Sequence, residues 1–161
     1  MATVTKKNVD TLPMFAGAPY GNVWAGQYHY ETNASGVFVD SDTTTAVQSG
    51  DTVRLGVLPA GLCIHDAIII LSDPFAASTT ASIGFDYCDG VDAVPAESAT
   101  WFVSALTTES SATVTRKATS NAPITLKKDA YLTLLRGGAH DSAAGILDVI
   151  VIGSWTGSSL T

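Results

Sequence analysis

Charge is scarce in this chain. Of its 161 residues only 14% are Asp, Glu, Lys or Arg, and eight basic residues face fifteen acidic ones. The basic residues are scattered, with pairs at Lys6-Lys7, Arg116-Lys117 and Lys127-Lys128. Binding nucleic acid requires clustered cations that displace counterions from phosphates, and no such face can be assembled from these. No nucleic-acid partner is expected. The net charge of −7 suits solubility or a basic partner surface.

Long apolar runs are missing as well. None approaches the ~20 residues of a membrane span, so no membrane partner is expected. Behind Met1-Ala-Thr-Val-Thr-Lys-Lys no apolar segment follows, so no secretion signal is expected. The two cysteines, Cys63 and Cys88, then read as reduced, buried thiols.

Catalytic and metal-binding signals are sparse. The sequence contains no G-x-S-x-G elbow, P-loop or G-x-G-x-x-G fingerprint. Of three histidines, His65 precedes Asp66 at the start of an apolar run and reads as a strand-end residue bonded to backbone. His29 lies between two tyrosines and faces solvent or a contact. His140-Asp141 sits in a Gly-rich turn, where Asp supplies turn hydrogen bonds. The run Asp86-Tyr-Cys-Asp89-Gly-Val-Asp92 has carboxylates around a glycine, as calcium loops do, but residue 88 is Cys where a second acid is needed. It reads as a hairpin or corner loop. Cys63, His65 and Cys88 lack the C-x₂-C pairing of a zinc site. No enzyme activity, cofactor or metal is expected.

What the sequence does have is alternation. In residues 51–90, Val53, Leu55 and Val57 alternate with Thr52, Arg54 and Gly56; residues 63–71 are almost wholly apolar; Ala81, Ile83, Phe85 and Tyr87 alternate with Thr80, Ser82, Gly84 and Asp86. Pro59-Ala-Gly61, Ser72-Asp-Pro74 and Asp89-Gly90 punctuate the runs. A period of two with β-branched residues and Gly/Pro/Asp breaks predicts antiparallel strands. Further strands are predicted at 22–31, 36–39, 124–127, 131–136 and 146–155. The run 99–106 fits one strand or a short helix, and 107–120 an exposed loop or weak edge strand. About eight strands in one domain predict an all-β, jelly-roll-like antiparallel sandwich, with an immunoglobulin-like sandwich as the second choice.

Residues 1–20 read as an extended N-terminal arm, 21–156 as the sandwich and 157–161 as a short tail. On the arm, Leu12, Met14, Phe15 and Tyr20 are apolar anchors suited to a neighbouring subunit. Trp24, Tyr28 and Tyr30 share one face of the first long strand and fit a core row, a subunit interface or a sugar-stacking platform.

Several segments together resemble a family. Asp51-Thr-Val-Arg-Leu-Gly-Val-Leu-Pro-Ala-Gly61, Ile64-His-Asp-Ala-Ile-Ile-Ile70, Ala77-Ser-Thr-Thr80, Ile83-Gly-Phe-Asp-Tyr87 and the closing Gly137-Gly138 with 146–152 are similar to the capsid decoration (cement) and head-associated proteins of tailed bacteriophages. The resemblance spans the central and C-terminal two thirds and omits the arm and residues 24–31. It implies a non-catalytic β-sandwich on the exterior of a virion, assembled in the host cytoplasm. It also implies the major capsid protein as partner and self-association as a homotrimer. The alternative is a carbohydrate- or receptor-binding sandwich of a phage tail or fibre.

Overall fold

The computed structural model describes residues 2–7, 22–109 and 112–155. They form ten strands and, among the described residues, no helix. One sheet runs β1 (Thr3–Thr5), β3 (Thr52–Leu58), β9 (Ala130–Gly138), β5 (Thr79–Tyr87), β6 (Ser98–Thr107). The other runs β2 (Val23–Thr32), β10 (Gly145–Trp155), β4 (Leu62–Asp73), β7 (Thr113–Arg116), with β8 (Ile124–Thr125) also on β4. Every pairing is antiparallel except β1 on β3.

The pairing order explains the shape. β2 pairs with β10, β3 with β9, β4 with β7 and β8, and β5 with β6. The chain is therefore a long antiparallel ribbon folded at the β5–β6 turn. The pairings β10–β4 and β9–β5 then roll that ribbon into two sheets. This is the jelly roll expected from the sequence.

Alternation supplies the core. Trp24, Tyr28 and Tyr30 of β2, Val53 and Leu55 of β3, Leu132 and Leu134 of β9, and Leu147, Val149 and Val151 of β10 all point inward and are buried. In β4 the inward set shifts phase, from Leu62 and Ile64 to Ala67, Ile69 and Leu71. A register irregularity against β10 at Ile152/Gly153 takes up the extra residue, and exposed His65 occupies it. The Tyr28 hydroxyl donates to the Val57 carbonyl at 2.6 Å, tying β2 to the opposite sheet.

The structure decides several local expectations and changes others. The three strands of 51–90 do not pair with one another: β3 and β5 lie in one sheet with β9 between them, and β4 lies in the other. Residues 36–39 form isolated bridges, Thr32 with Phe38 and Val37 with Ala46, instead of a strand. Residues 99–106 are strand, and 113–116 are an edge strand on β4. Cys63 and Cys88 are free, half-buried thiols in different parts of the sandwich. Of the arm, residues 3–5 pair with β3 of their own domain, Val4 being 5% exposed. The anchors Leu12, Met14, Phe15 and Tyr20, and the tail 157–161, lie outside the described residues.

Candidate functional site

One end of the roll gathers the β2–β3, β4–β5, β6–β7 and β9–β10 connections, and a buried polar network joins them. Arg136 follows Ala130, Leu132 and Leu134 on the inward face of β9, so alternation itself drives a guanidinium into the core. Its Nη2 pairs with Asp141 Oδ1, both side chains being fully buried. Tyr30 donates to Asp141 Oδ2 at 2.6 Å. Arg136 Nη1 donates to Thr108 Oγ1 at 3.3 Å, and its guanidinium lies 4.8 Å from the Phe75 ring centroid. Thr108 also exchanges hydroxyl contact with Thr79 at 2.9 Å. Burial first, then the Asp141 charge, holds the Tyr30 hydroxyl well above its ordinary pKa, so it remains a donor. The network is closed to solvent. It staples four connections together and offers nothing to a substrate.

The outer face of the second sheet is open. His29 on β2 stands between two carboxylates, with Nδ1 2.8 Å from Asp148 Oδ1 on β10 and Nε2 3.2 Å from Glu31 Oε2. Desolvation lowers its pKa, but hydrogen bonds and charge from Asp148 and Glu31 outweigh that and raise it. Beside this trio, Ile150 of β10 stands opposite Ile68 of β4, with Ile70 and Ile152 diagonal to them. All four are partly exposed. Arg116 of β7 pairs with Asp66 at the far margin.

On the outer face of the first sheet, Arg54 reaches across β9 to Asp86 at 3.0 Å and covers the Tyr131 ring at 4.6 Å. Next to them lies a shallow cleft of about 250 Å³ lined by Thr52, Asp86, Glu97, Ser98 and Thr133 among others. At the opposite end of the roll, Lys128 bonds Asp89 at 2.7 Å and the Val91 carbonyl at 3.2 Å. The Lys128 hydrogen bond holds the Asp89 carboxyl below its ordinary pKa. In the same β5–β6 connection, Val91 and Val94 are exposed.

The sequence-derived candidates do not converge. His65 is exposed and bonds the Ser154 hydroxyl at 2.8 Å rather than backbone, His29 serves the trio, and His140 is exposed on the β9–β10 turn. Asp141 lies in the β9–β10 turn, but its carboxylate is a buried counter-ion to Arg136 and not a supplier of turn hydrogen bonds; the signal for it was the inward phase of Arg136, which needs an anion nearby. Asp86, Asp89 and Asp92 go to Arg54, Lys128 and the amides of Ala93 and Glu97 respectively. The Cys88 thiol is pushed up to about 11, chiefly by burial and then by Asp129, which keeps it a poor nucleophile. Among the described residues, no group of three His, Cys, Asp or Glu side chains is arranged to hold a metal ion; in the His29 trio the carboxylates bond opposite ring nitrogens. Trp24, Tyr28 and Tyr30 are 6%, 1% and 0% exposed. Of the three roles open to them, the core row is the one they fill here, and rings so covered provide no platform for a sugar.

No family model matches the chain, and no curated protein matches it. Solved structures do. A chain in the capsid of Ralstonia phage GP4 is similar with a TM-score of 0.65 at 14% identity, covering 97% of this chain and 99% of that one. A chain in the cyanophage Pam1 capsid asymmetric unit has a TM-score of 0.55 at 18% identity, covering 87% and 90%. At these identities the likeness is one of fold.

Proposed function

We propose that the protein is a non-enzymatic structural component of a phage virion, a decoration or cement protein bound to the outside of the major capsid protein shell. The observation that carries this reading is the end-to-end match to a capsid chain, 97% of one against 99% of the other. The surfaces are consistent with it. His29, Asp86, Asp89 and Asp141 are held in structural pairs, and one sheet face presents isoleucines. The phage resemblance of residues 51–90 supports the finer assignment, including self-association as a trimer and assembly in the host cytoplasm.

The arm residues Leu12, Met14, Phe15 and Tyr20 are the contacts assigned to the shell, since an extended segment docks through main-chain bonds and a few apolar anchors. The test is co-sedimentation of the purified chain with particles that lack it, with the copy number read from cryo-electron density. Residues 8–20 are replaced by a Gly/Ser linker in a parallel sample, which keeps β1 in place. Binding of the natural chain and loss of binding by the linker variant are expected. A natural chain that stays in the supernatant sinks the virion reading, and a linker variant that binds equally well sinks the role of the arm.

A further inference from the structure

A sheet edge carries unpaired backbone N–H and C=O groups that accept any extended chain, and folded proteins blunt such edges with short strands, irregularities, Lys, Pro or covering loops. The two sheets here have four edges. At one, β1 is three residues long, and the Asp42 amide bonds its Thr5 carbonyl from outside at 2.9 Å. At the second, β6 breaks register twice against β5 and holds Ala105 at a φ of 49°. At the third, β7 is four residues long. The fourth is β2. It runs ten residues against β10 with no register shift and contains neither Lys nor Pro.

The ladder identifies the groups left over. The Trp155 amide donates to the Asn22 carbonyl at 2.8 Å, which extends the β2–β10 register and assigns the even-numbered residues of β2 to that ladder. The Val39 amide donates to the Glu31 carbonyl at 2.8 Å from the other side, so the odd-numbered residues turn their N–H and C=O outward. Those of Val23, Ala25, Gln27 and His29 have no backbone partner among the described residues. Val23 is 79% exposed.

We propose that this edge is a strand-addition site and that its occupant is β2 of a second copy, paired antiparallel about a two-fold axis. Opposing Ala25 to Gln27 and Val23 to His29 satisfies each outward N–H with a C=O of the partner strand. In that register no two like charges meet, and Glu31 falls beyond the paired residues. Gly26 lies on the axis, where the backbones of a non-hydrogen-bonded pair come within ~4.5 Å. The pairing joins two five-stranded sheets into one. Such an isologous contact closes at two copies, so it is a surface separate from any three-fold contact. The inference rests on the reading of the chain as an assembling shell protein and adds to it the surface and its symmetry.

Hydrogen exchange followed by NMR on the full chain, from micromolar to millimolar concentration, tests this beside sedimentation velocity. The expected result is a dimer at high concentration in which the Ala25, Gln27 and His29 amides become protected. Gln27→Pro removes an outward N–H and leaves the backbone β2–β10 ladder intact, and Gln27→Lys places a charge on the edge; both also delete the exposed Gln27 Nε2 donation to Asp148 Oδ1 on β10. Each is expected to weaken dimerisation at least tenfold while the Trp24, Tyr28 and Tyr30 amides stay protected. The proposal is overturned if the edge amides exchange freely at every concentration. It is equally overturned if they are protected where the chain is monomeric, because the chain's own residues then cover the edge. A dimer that survives both variants also overturns it. Particle binding by the natural chain is scored separately, and its absence would count against the virion reading alone.

Discussion

Arg136 and Asp141 form an ion pair five residues apart across the β9–β10 turn, with neither side chain open to solvent. Every oxygen of Asp141 is used, one by Arg136 and one by Tyr30. Removing one partner strands a buried charge, which costs about 3–5 kcal/mol, whereas replacing both by apolar groups of similar volume costs far less. Asp141→Ala is therefore expected to lose about 3–5 kcal/mol in urea denaturation. The double variant Arg136→Met/Asp141→Leu is expected to be more stable than Asp141→Ala alone. Equal losses from single and double variants would contradict the pairing.

The aromatic row of β2 makes a separable prediction. Trp24→Ala is expected to destabilise the fold by about 3–5 kcal/mol, the usual cost of emptying a buried aromatic site. Tyr28→Phe keeps the ring and deletes the hydroxyl that reaches Val57, so about 1 kcal/mol is expected. Thermal denaturation of both variants checks the order. A Trp24→Ala chain as stable as the natural one would mean the ring is exposed and free to contact a ligand.

His29 should give the folded protein a pH-dependent contribution. Its folded pKa is raised above the unfolded value of 6.5 by Asp148 and Glu31. A proton bound more tightly in the folded state stabilises it, so the contribution is complete below about 6.5 and disappears as pH rises through the folded pKa. The side chain is 42% exposed, so solvent screens the pair and the effect stays within about 1 kcal/mol. Ring titration by NMR is expected to show the raised value and a lower one in Asp148→Asn. No change in Asp148→Asn would remove Asp148 as the cause.

The strands were legible because their signal is local. Val53/Leu55, Ala81/Ile83/Phe85 and Leu147/Val149/Val151 alternate within one strand each, and burial follows that phase. What was illegible is non-local. Nothing near residue 55 says that β3 will lie beside β9 and not beside β4, since that choice is made by pairing across about eighty residues. The strand β7 carries little apolar signal because it is a short margin on β4, paired through its backbone with Val114 exposed, whereas β8 was signalled by Ile124, which packs against the core. Arg136 was visible in phase but not in meaning, because its partner Asp141 looked like ordinary turn chemistry.

The arm yields the last prediction. β1 attaches by a few backbone bonds and one buried side chain, Val4 at 5% exposure. A carboxylate at that position cannot be buried without a partner, and its desolvation would exceed what three paired residues contribute. The domain has a cheaper response than unfolding, which is to release β1, because among the described residues its outer side meets only the 40–42 segment and no further strand. Val4→Asp is therefore expected to open the N-terminus to limited proteolysis while the amides of β2, β4 and β10 keep their protection from exchange. Cooperative unfolding of the whole chain instead would show that β1 is part of the core. If particles bind the Val4→Asp chain as tightly as the natural one, the arm works without its anchor on β3. A weaker association would mean that β1 fixes the origin from which residues 8–20 reach their partner.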